Sequence, residues 1–292
     1  MSFQSGFVSI LGKPNAGKST LLNALVGEKL AIVSPKVQTT RHRIKAFLNS
    51  EGYQIIFSDT PGIIEPQYKL HEKMMRQVKN AMEDADVALL VYDATDQQPQ
   101  EAQAFFSQLR LKVPALLLVN KTDACPEAVW QAAVQHFTEA GSYHAVIPVS
   151  ALKGQGLDVL LQQLLALVPE GAPFFDSEDL SDLPTRFFVS ELIREKIFEL
   201  YHQEIPYQST VLVQEFQEKT TLTKIRADII VHRDTQKSII IGEKGSMIRE
   251  LGTRSRQAIE QFLGRKVFLE LFVKVRPRWR DQDVFLREYG YE

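Results

Sequence analysis

Apolar positions in the first 170 residues fall into short runs separated by stretches of helical periodicity. The run Phe7-Val8-Ser9-Ile10-Leu11 and residues 54–57, 87–92, 115–119 and 145–149 are brief, apolar and bounded by polar or turn-forming residues, which predicts strands. Helical spacing runs through Thr20-Leu21-Leu22-Asn23-Ala24-Leu25 and residues 69–80, 100–109, 128–139 and 157–168, the last with Leu160, Leu161, Leu164, Leu165 and Val168 on one face. Strands that are apolar throughout are covered on both faces, so the alternation implies an α/β domain: a mainly parallel sheet with helices on both sides. Such sheets take ligands at the carboxyl ends of their strands.

Beyond residue 168 the pattern changes. Pro169-Glu170-Gly171-Ala172-Pro173 opens an acidic stretch that reaches Asp182 and Pro184, the composition of a linker. The expected organisation is a first domain over 1–170, a linker over 171–185, and a second domain with its tail over 186–292. In the second domain an amphipathic helix at 192–200 precedes alternating segments at 210–216 and 222–232. Ser238-Ile239-Ile240-Ile241 then leads into Gly242-Glu243-Lys244-Gly245-Ser246-Met247-Ile248-Arg249, and a helix at 253–263 and a strand at 267–275 complete an α+β set.

Composition narrows the class. With 292 residues, 44% hydrophobic and 24% charged, the chain reads as a soluble globular protein of about two domains. The single Cys125 excludes an internal disulfide framework and fits a reducing, cytoplasmic setting. No segment has the character of a signal peptide or membrane span, so the only membrane contact left open is a peripheral one. The six His are scattered and give no zinc motif. The net charge of -2 conceals a division: residues 1–180 carry 15 Lys and Arg against 19 Asp and Glu, whereas from Lys219 to Arg280 there are 15 against 6, a balance of +9. Such an excess attracts nucleic acid, the plainer reading being a solvated basic face.

The chemistry begins at Gly12-Lys13-Pro14-Asn15-Ala16-Gly17-Lys18-Ser19, where an apolar strand turns into a helix. In a phosphate-binding loop of this kind backbone N–H groups point at phosphate oxygens, the helix N-terminus adds partial positive charge, Lys18 reaches the outer phosphates and Ser19 can ligate Mg²⁺. Thr20 follows within the same helix start.

Three further elements fall at strand ends. Ser58-Asp59-Thr60-Pro61-Gly62, alone an ordinary turn, offers Asp59 to Mg²⁺ through a water and the Gly62 N–H to a γ-phosphate. In Asn120-Lys121-Thr122-Asp123 the Asp123 carboxylate can accept two hydrogen bonds from the guanine edge, which adenine cannot offer, with Lys121 over the base and Asn120 tying the loop. Ser150, Ala151 and Leu152 would complete the base pocket through backbone donors. This base signal speaks against an ATP-dependent kinase or transport ATPase.

Gly242-Glu243-Lys244-Gly245 is a Gly-x-x-Gly loop of the kind by which KH domains clamp a single strand, the glycines admitting phosphates and Lys244 neutralising one. Ile240, Ile241 and Ile248 are candidate walls of a groove for the bases, with Arg249 on the helix beyond.

In order, spacing and placement these motifs resemble the translation-factor-related GTPases, and nearly the whole chain resembles the bacterial Era family of ribosome-assembly GTPases. The resemblance implies that Pro35-Lys36-Val37-Gln38-Thr39-Thr40-Arg41-His42 is the first switch, with Thr40 the better candidate for the Mg²⁺-ligating threonine and Thr39 the alternative, and that the second switch runs from Asp59 to about Asn80. It implies GTP and GDP as ligands, with Lys18, Thr40, Gly62 and Asn15 as the catalytic set, and it suggests a K⁺ on Asn15, the alternative being a loop-stabilising amide. Ile63 stands where many small signalling GTPases place a water-orienting Gln, so slow intrinsic turnover is expected. The implied partner of a monomeric protein is the small ribosomal subunit, through RNA near the 3′ end of its ribosomal RNA. The alternative is an RNA-binding module with a structural nucleotide site that does not turn over.

Overall fold

The computed structural model describes residues 2–291, which form two compact units, one of residues up to Glu65 with Met74–Asp182 and one of Pro66–Lys73 with the residues from Leu183 onward. The first contains β1 (Gln4–Leu11), α1 (Lys18–Val26), β2 (Ile44–Asn49), β3 (Tyr53–Asp59), β4 (Val87–Asp93), α3 (Pro99–Ser107), β5 (Ala115–Asn120), α4 (Glu127–Glu139), β6 (Ala145–Pro148), α5 (Leu157–Leu165) and all but the first turn of α2 (Lys69–Asp84). Its six strands lie in the order β2-β3-β1-β4-β5-β6. All neighbours pair in parallel except β2, which runs antiparallel to β3 with Ile44 opposite Asp59.

The central strands are buried almost end to end, as continuous apolar runs require: Leu89 to Val91 and Leu116 to Val119 are at most 1% exposed. α2 lays Met74, Val78 and Ala81 inward at helical spacing. α1 starts where Gly17 adopts φ +95° and stops at Gly27 (φ +80°), whose N–H bonds Asn23 O at 2.9 Å.

The expected linker is not a tether over its first part. Residues 174–182 are strapped along β2: the Phe175 ring stacks on Phe47 at 4.1 Å, Phe174 meets Phe7 at 4.8 Å, and Phe47 N–H donates to Leu180 O at 3.0 Å. Gln54 holds both Phe174 and Phe175 N–H groups through Oε1, and Lys45 pairs with Asp182 at 2.9 Å. An edge strand with unpaired amides is an aggregation liability, and this strap covers it.

The second unit carries α6 (Thr185–Leu200), α7 (Ile205–Gln208), β7 (Thr210–Glu218), β8 (Thr223–Val231), α8 (Asp234–Ile241), α9 (Ser246–Leu263), β9 (Val267–Val275) and α10 (Asp283–Glu288). Its sheet runs β7-β8-β9, antiparallel then parallel. One face of the sheet is covered by α6, α8 and α9 around Val189, Ile193, Ile225, Ile229, Leu251 and Ile259. The tail returns to this unit by burying Trp279, whose indole N–H donates to Gln208 O at 3.1 Å. The segment Pro66–Lys73 is held here too: the Arg280 guanidinium lies 4.3 Å over the Tyr68 ring and Lys69 pairs with Asp283 at 2.6 Å. Among the described residues no helix is long and apolar enough to cross a membrane.

Candidate functional site

Parallel strands put their carboxyl ends on one edge of the sheet, so β1, β3, β5 and β6 deliver the phosphate loop, Asp59, Asn120 and Ser150 to the same place. A cavity of about 390 Å³ opens there, lined by Pro14, Asn15, Gly17, Lys18, Ser19, Thr20, Gly62, Asn120, Lys121, Asp123, Ala151 and Leu152, together with residues 32–35 and 38–40. Residues 32–34 were not singled out by the sequence, since nothing marks an apolar loop as a pocket wall. Gly12, Lys13, Ala16, Asp59, Thr60, Pro61 and Ser150 are not among the lining residues and support the site from outside its wall. Thr60, for example, donates to Ile10 O at 2.8 Å, fixing β3 to β1.

Close approach fixes the glycines. A Cβ at Gly17 would sit 2.3 Å from Asn120 Nδ2, one at Gly12 2.6 Å from Val91 O, and one at Gly62 2.8 Å from the Pro14 backbone. The Lys18 ammonium bonds Gly12 O at 3.2 Å and Lys13 O at 2.9 Å inside the loop. Burial lowers its pKa to about 8 against the opposing pull of Asp59. The ammonium is thus held inside the loop by two carbonyl oxygens, where burial leaves its positive charge poorly solvated.

The donors expected for Mg²⁺ meet. Ser19 Oγ lies 2.8 Å from Thr40 Oγ1 and donates to Asp59 Oδ2 at 2.7 Å, and Thr40 Oγ1 donates to the same oxygen at 3.2 Å. Thr39 turns away and donates to Lys36 O at 2.7 Å, so Thr40 is the threonine at the centre. Asp59 is wholly buried, its Oδ1 has no hydrogen-bond partner, and burial raises its pKa against the lowering effects of Lys18, Ser19 and Thr40. An unpartnered buried carboxylate oxygen beside two hydroxyls fits a hard divalent cation.

On the base side Asn120 is the tie expected: Nδ2 donates to Ala16 O at 2.8 Å and Oδ1 accepts from Ala151 N at 3.1 Å. Ser150 Oγ donates to Asp123 Oδ1 at 2.5 Å, which leaves the second carboxylate oxygen for a ligand. The backbone donors expected of Ser150 and Ala151 are engaged within the loops, Ser150 N–H with Gln155 O and Ala151 N–H with Asn120. Lys121 pairs with Asp93, a residue the sequence gave no reason to select.

In the second unit the Gly-x-x-Gly loop joins α8 to α9, with φ +71° at Gly242, +50° at Lys244 and +77° at Gly245. Glu243, Lys244 and Arg249 are exposed. Ile240 is a correction: α8 turns it inward to 0% exposure, within the core and unable to line a groove, while Ile239 is 49% exposed. Ile241 and Ile248 are half-buried against that core. The sequence left the isoleucine run unassigned to helix or strand, and only a helical assignment tells which isoleucine faces out.

A doubly covered sheet with phosphate loop, paired Mg²⁺ donors and a carboxylate at the base position, followed by a KH-type unit, defines a P-loop GTPase with an appended RNA-binding fold. A family model described as a 50S ribosome-binding GTPase matches residues 7–121, and a KH-domain model matches residues 204–280. GTPase Era of Geobacter sp. (strain M21) is 44% identical over 292 residues, covering 99% of this chain and 98% of that protein, and GTPase Era of Leuconostoc citreum (strain KM20) is 42% identical with 99% and 97% covered. Two solved structures superpose over 99% of both chains at 39% identity: Aquifex aeolicus Era bound to GDP and AlF₄⁻, with a TM-score of 0.95, and Era in complex with MgGDPNP and nucleotides 1506–1542 of 16S ribosomal RNA, with a TM-score of 0.94. The chain belongs to the Era family of GTPases and hydrolyses GTP to GDP and phosphate.

Proposed function

We propose that this chain is a GTP-driven switch whose KH unit grips RNA near the 3′ end of the small-subunit ribosomal RNA and assists maturation of the small ribosomal subunit. The observation that carries the reading is the convergence of Lys18, Ser19, Thr40 and Asp123 on the wall of one cleft, with Asp59 bonded to Ser19 and Thr40 behind that wall. The relative seen with MgGDPNP and a 16S segment supports the choice of RNA.

Bound Mg²⁺, held by Ser19, Thr40 and Asp59, would neutralise charge on the phosphate oxygens. The chain's own groups do the rest. The loop amides and Lys18 orient the outer phosphates, Gly62 brings a backbone N–H near the γ position, and Asp123 selects guanine. Ile63 cannot hydrogen-bond a water, so turnover without help is slow. Asn15 Nδ2 donates to Pro35 O at 2.8 Å, tying the phosphate loop to the 35–42 segment, and its side-chain oxygen would ligate a K⁺ beside the phosphates.

Coupling follows from chain continuity. Gly62 runs within a few residues into Pro66–Lys73, which is packed in the second unit by Tyr68 and Lys69. A loop that orders around a γ-phosphate therefore pulls on a segment anchored in the RNA-binding unit. The chain acts as a cytoplasmic monomer, and any membrane contact is peripheral.

The test is crosslinking of the Lys244 region to cellular RNA, with the attached fragments sequenced. Enrichment of the 3′ end of small-subunit ribosomal RNA is expected. Enrichment of transfer or messenger RNA would overturn the assembly role and leave the GTPase assignment standing. A structural nucleotide site would show as an absence of RNA-stimulated phosphate release.

A further inference from the structure

The end of β4 and the turn that follows it hold two carboxylates, Asp93 and Asp96, and each takes a lysine from a different loop of the nucleotide site. Asp96 lies 3.5 Å from Lys13 of the phosphate loop, and Asp93 Oδ2 lies 2.5 Å from the Lys121 ammonium of the base loop. The second contact is the more enclosed, with side-chain exposures of 33% for Lys121 and 20% for Asp93. It is also built into the sheet, because Asp93 at the end of β4 is the register partner of Asn120 at the end of β5, and Lys121 is the next residue. Lys121 adopts φ +65°, a left-handed conformation that sends its side chain back across the site. Its Cε passes 4.0 Å from where a Gly17 Cβ would be, so the stem forms a wall of the cavity. Asp93 does not line that cavity.

The two oxygens of Asp93 have separate tasks. Oδ1 accepts from Thr95 N at 3.0 Å and Thr95 Oγ1 at 2.7 Å, closing the short turn Ala94–Asp96, while Oδ2 takes Lys121. We propose that Asp93 is a positioning residue for nucleotide retention: it anchors the Lys121 ammonium so that the lysine stem is already laid along the pocket when guanine nucleotide arrives. A lysine carries large rotamer freedom, and a ligand that must order it forfeits affinity. Fixing it beforehand removes that cost and appears in the release rate more than in the encounter rate.

The experiment is release of fluorescently labelled GDP from the full chain into excess unlabelled GDP, followed by stopped flow, with thermal melts of each variant. Asp93→Asn keeps an oxygen for Thr95 and replaces the oxygen facing Lys121 with a donor. It is expected to release GDP about tenfold faster and to raise KM for GTP with kcat unchanged. Thr95→Ala, which loosens only the turn, should release at the wild-type rate. In a Lys121→Met background Asp93→Asn should add nothing, because the group it anchors is gone. Wild-type release from Asp93→Asn, equal acceleration in the Lys121→Met background, or acceleration by Thr95→Ala matching that of Asp93→Asn would each overturn the proposal. If Asp93→Asn does not fold, Asp93→Glu, which displaces the carboxylate by one methylene, is read against the same background. Failure of the wild-type chain to bind labelled GDP at all would instead refute the reading of the pocket itself.

Discussion

Asn120 donates its side-chain amide to the carbonyl oxygen of Ala16 at 2.8 Å, and through that bond the base loop after β5 and the phosphate loop after β1 become one body. Its other amide atom accepts from Ala151, so a single buried side chain ties three loops that are far apart in sequence.

Asn120→Ala would leave a buried carbonyl and a buried N–H without partners, at about 1–3 kcal/mol each. The nucleotide-free chain should melt several degrees lower, and GDP affinity should fall by about ten- to a hundredfold, measured by calorimetry. An unchanged GDP affinity would show that the loops hold together without this tie.

Asp123→Asn tests the choice of base. Ser150 Oγ holds one acceptor of this side chain, so an asparagine keeps its oxygen there and turns its NH₂ toward the ligand. GTP affinity should drop by about a hundredfold or more, and xanthosine triphosphate should become the preferred nucleotide. Competition binding reads the outcome, and persistent GTP preference would remove Asp123 from the base contact.

Asp59 predicts proton linkage. Burial holds its pKa above the ordinary 3.8 in the nucleotide-free chain, so the folded state keeps a proton that the unfolded state has lost. The stability this contributes is present below that ordinary value and is lost as pH rises through the raised one. Mg²⁺ competes for the same oxygens, so Mg²⁺ affinity should weaken as pH falls and Mg²⁺ binding should release protons. Calorimetry of Mg²⁺ binding to the GDP complex in buffers of different ionisation enthalpy measures the release. Asp59→Asn should abolish the part of it that belongs to this carboxyl.

The K⁺ role proposed for Asn15 predicts dependence on the monovalent ion. Single-turnover GTP hydrolysis should be faster in K⁺ than in Na⁺, and Asn15→Ala should remove the difference. Equal wild-type rates in the two salts would eliminate the K⁺ site.

Lys244→Ala addresses the RNA loop. The side chain is exposed, and the left-handed φ of +50° at this position is no harder for alanine than for lysine, so the variant should fold normally. RNA affinity should fall several-fold for all sequences alike, with the salt slope reduced by about one. A loss confined to one RNA sequence would mean that Lys244 reads bases.

By itself the sequence determined the local grammar. Periodicity located the central strands and most helices because burial on both faces of a parallel sheet demands continuous apolar runs, and glycine spacing located both loops because backbone must approach closely there. The tertiary structure decided which neighbour does the work. Thr39 and Thr40 are chemically alike, and only the path of the loop past Asp59 turns Thr40 to that carboxylate and Thr39 to Lys36 O. Ile239 and Ile240 are likewise the same residue type, and only the rotation of α8 buries one and exposes the other. The strap on β2 and the Asp93–Lys121 pair are contacts between segments 28 or more residues apart. Pattern within a window records which faces are apolar and carries no record of which distant segments those faces will meet, so contacts of that kind appear only once the chain has closed on itself.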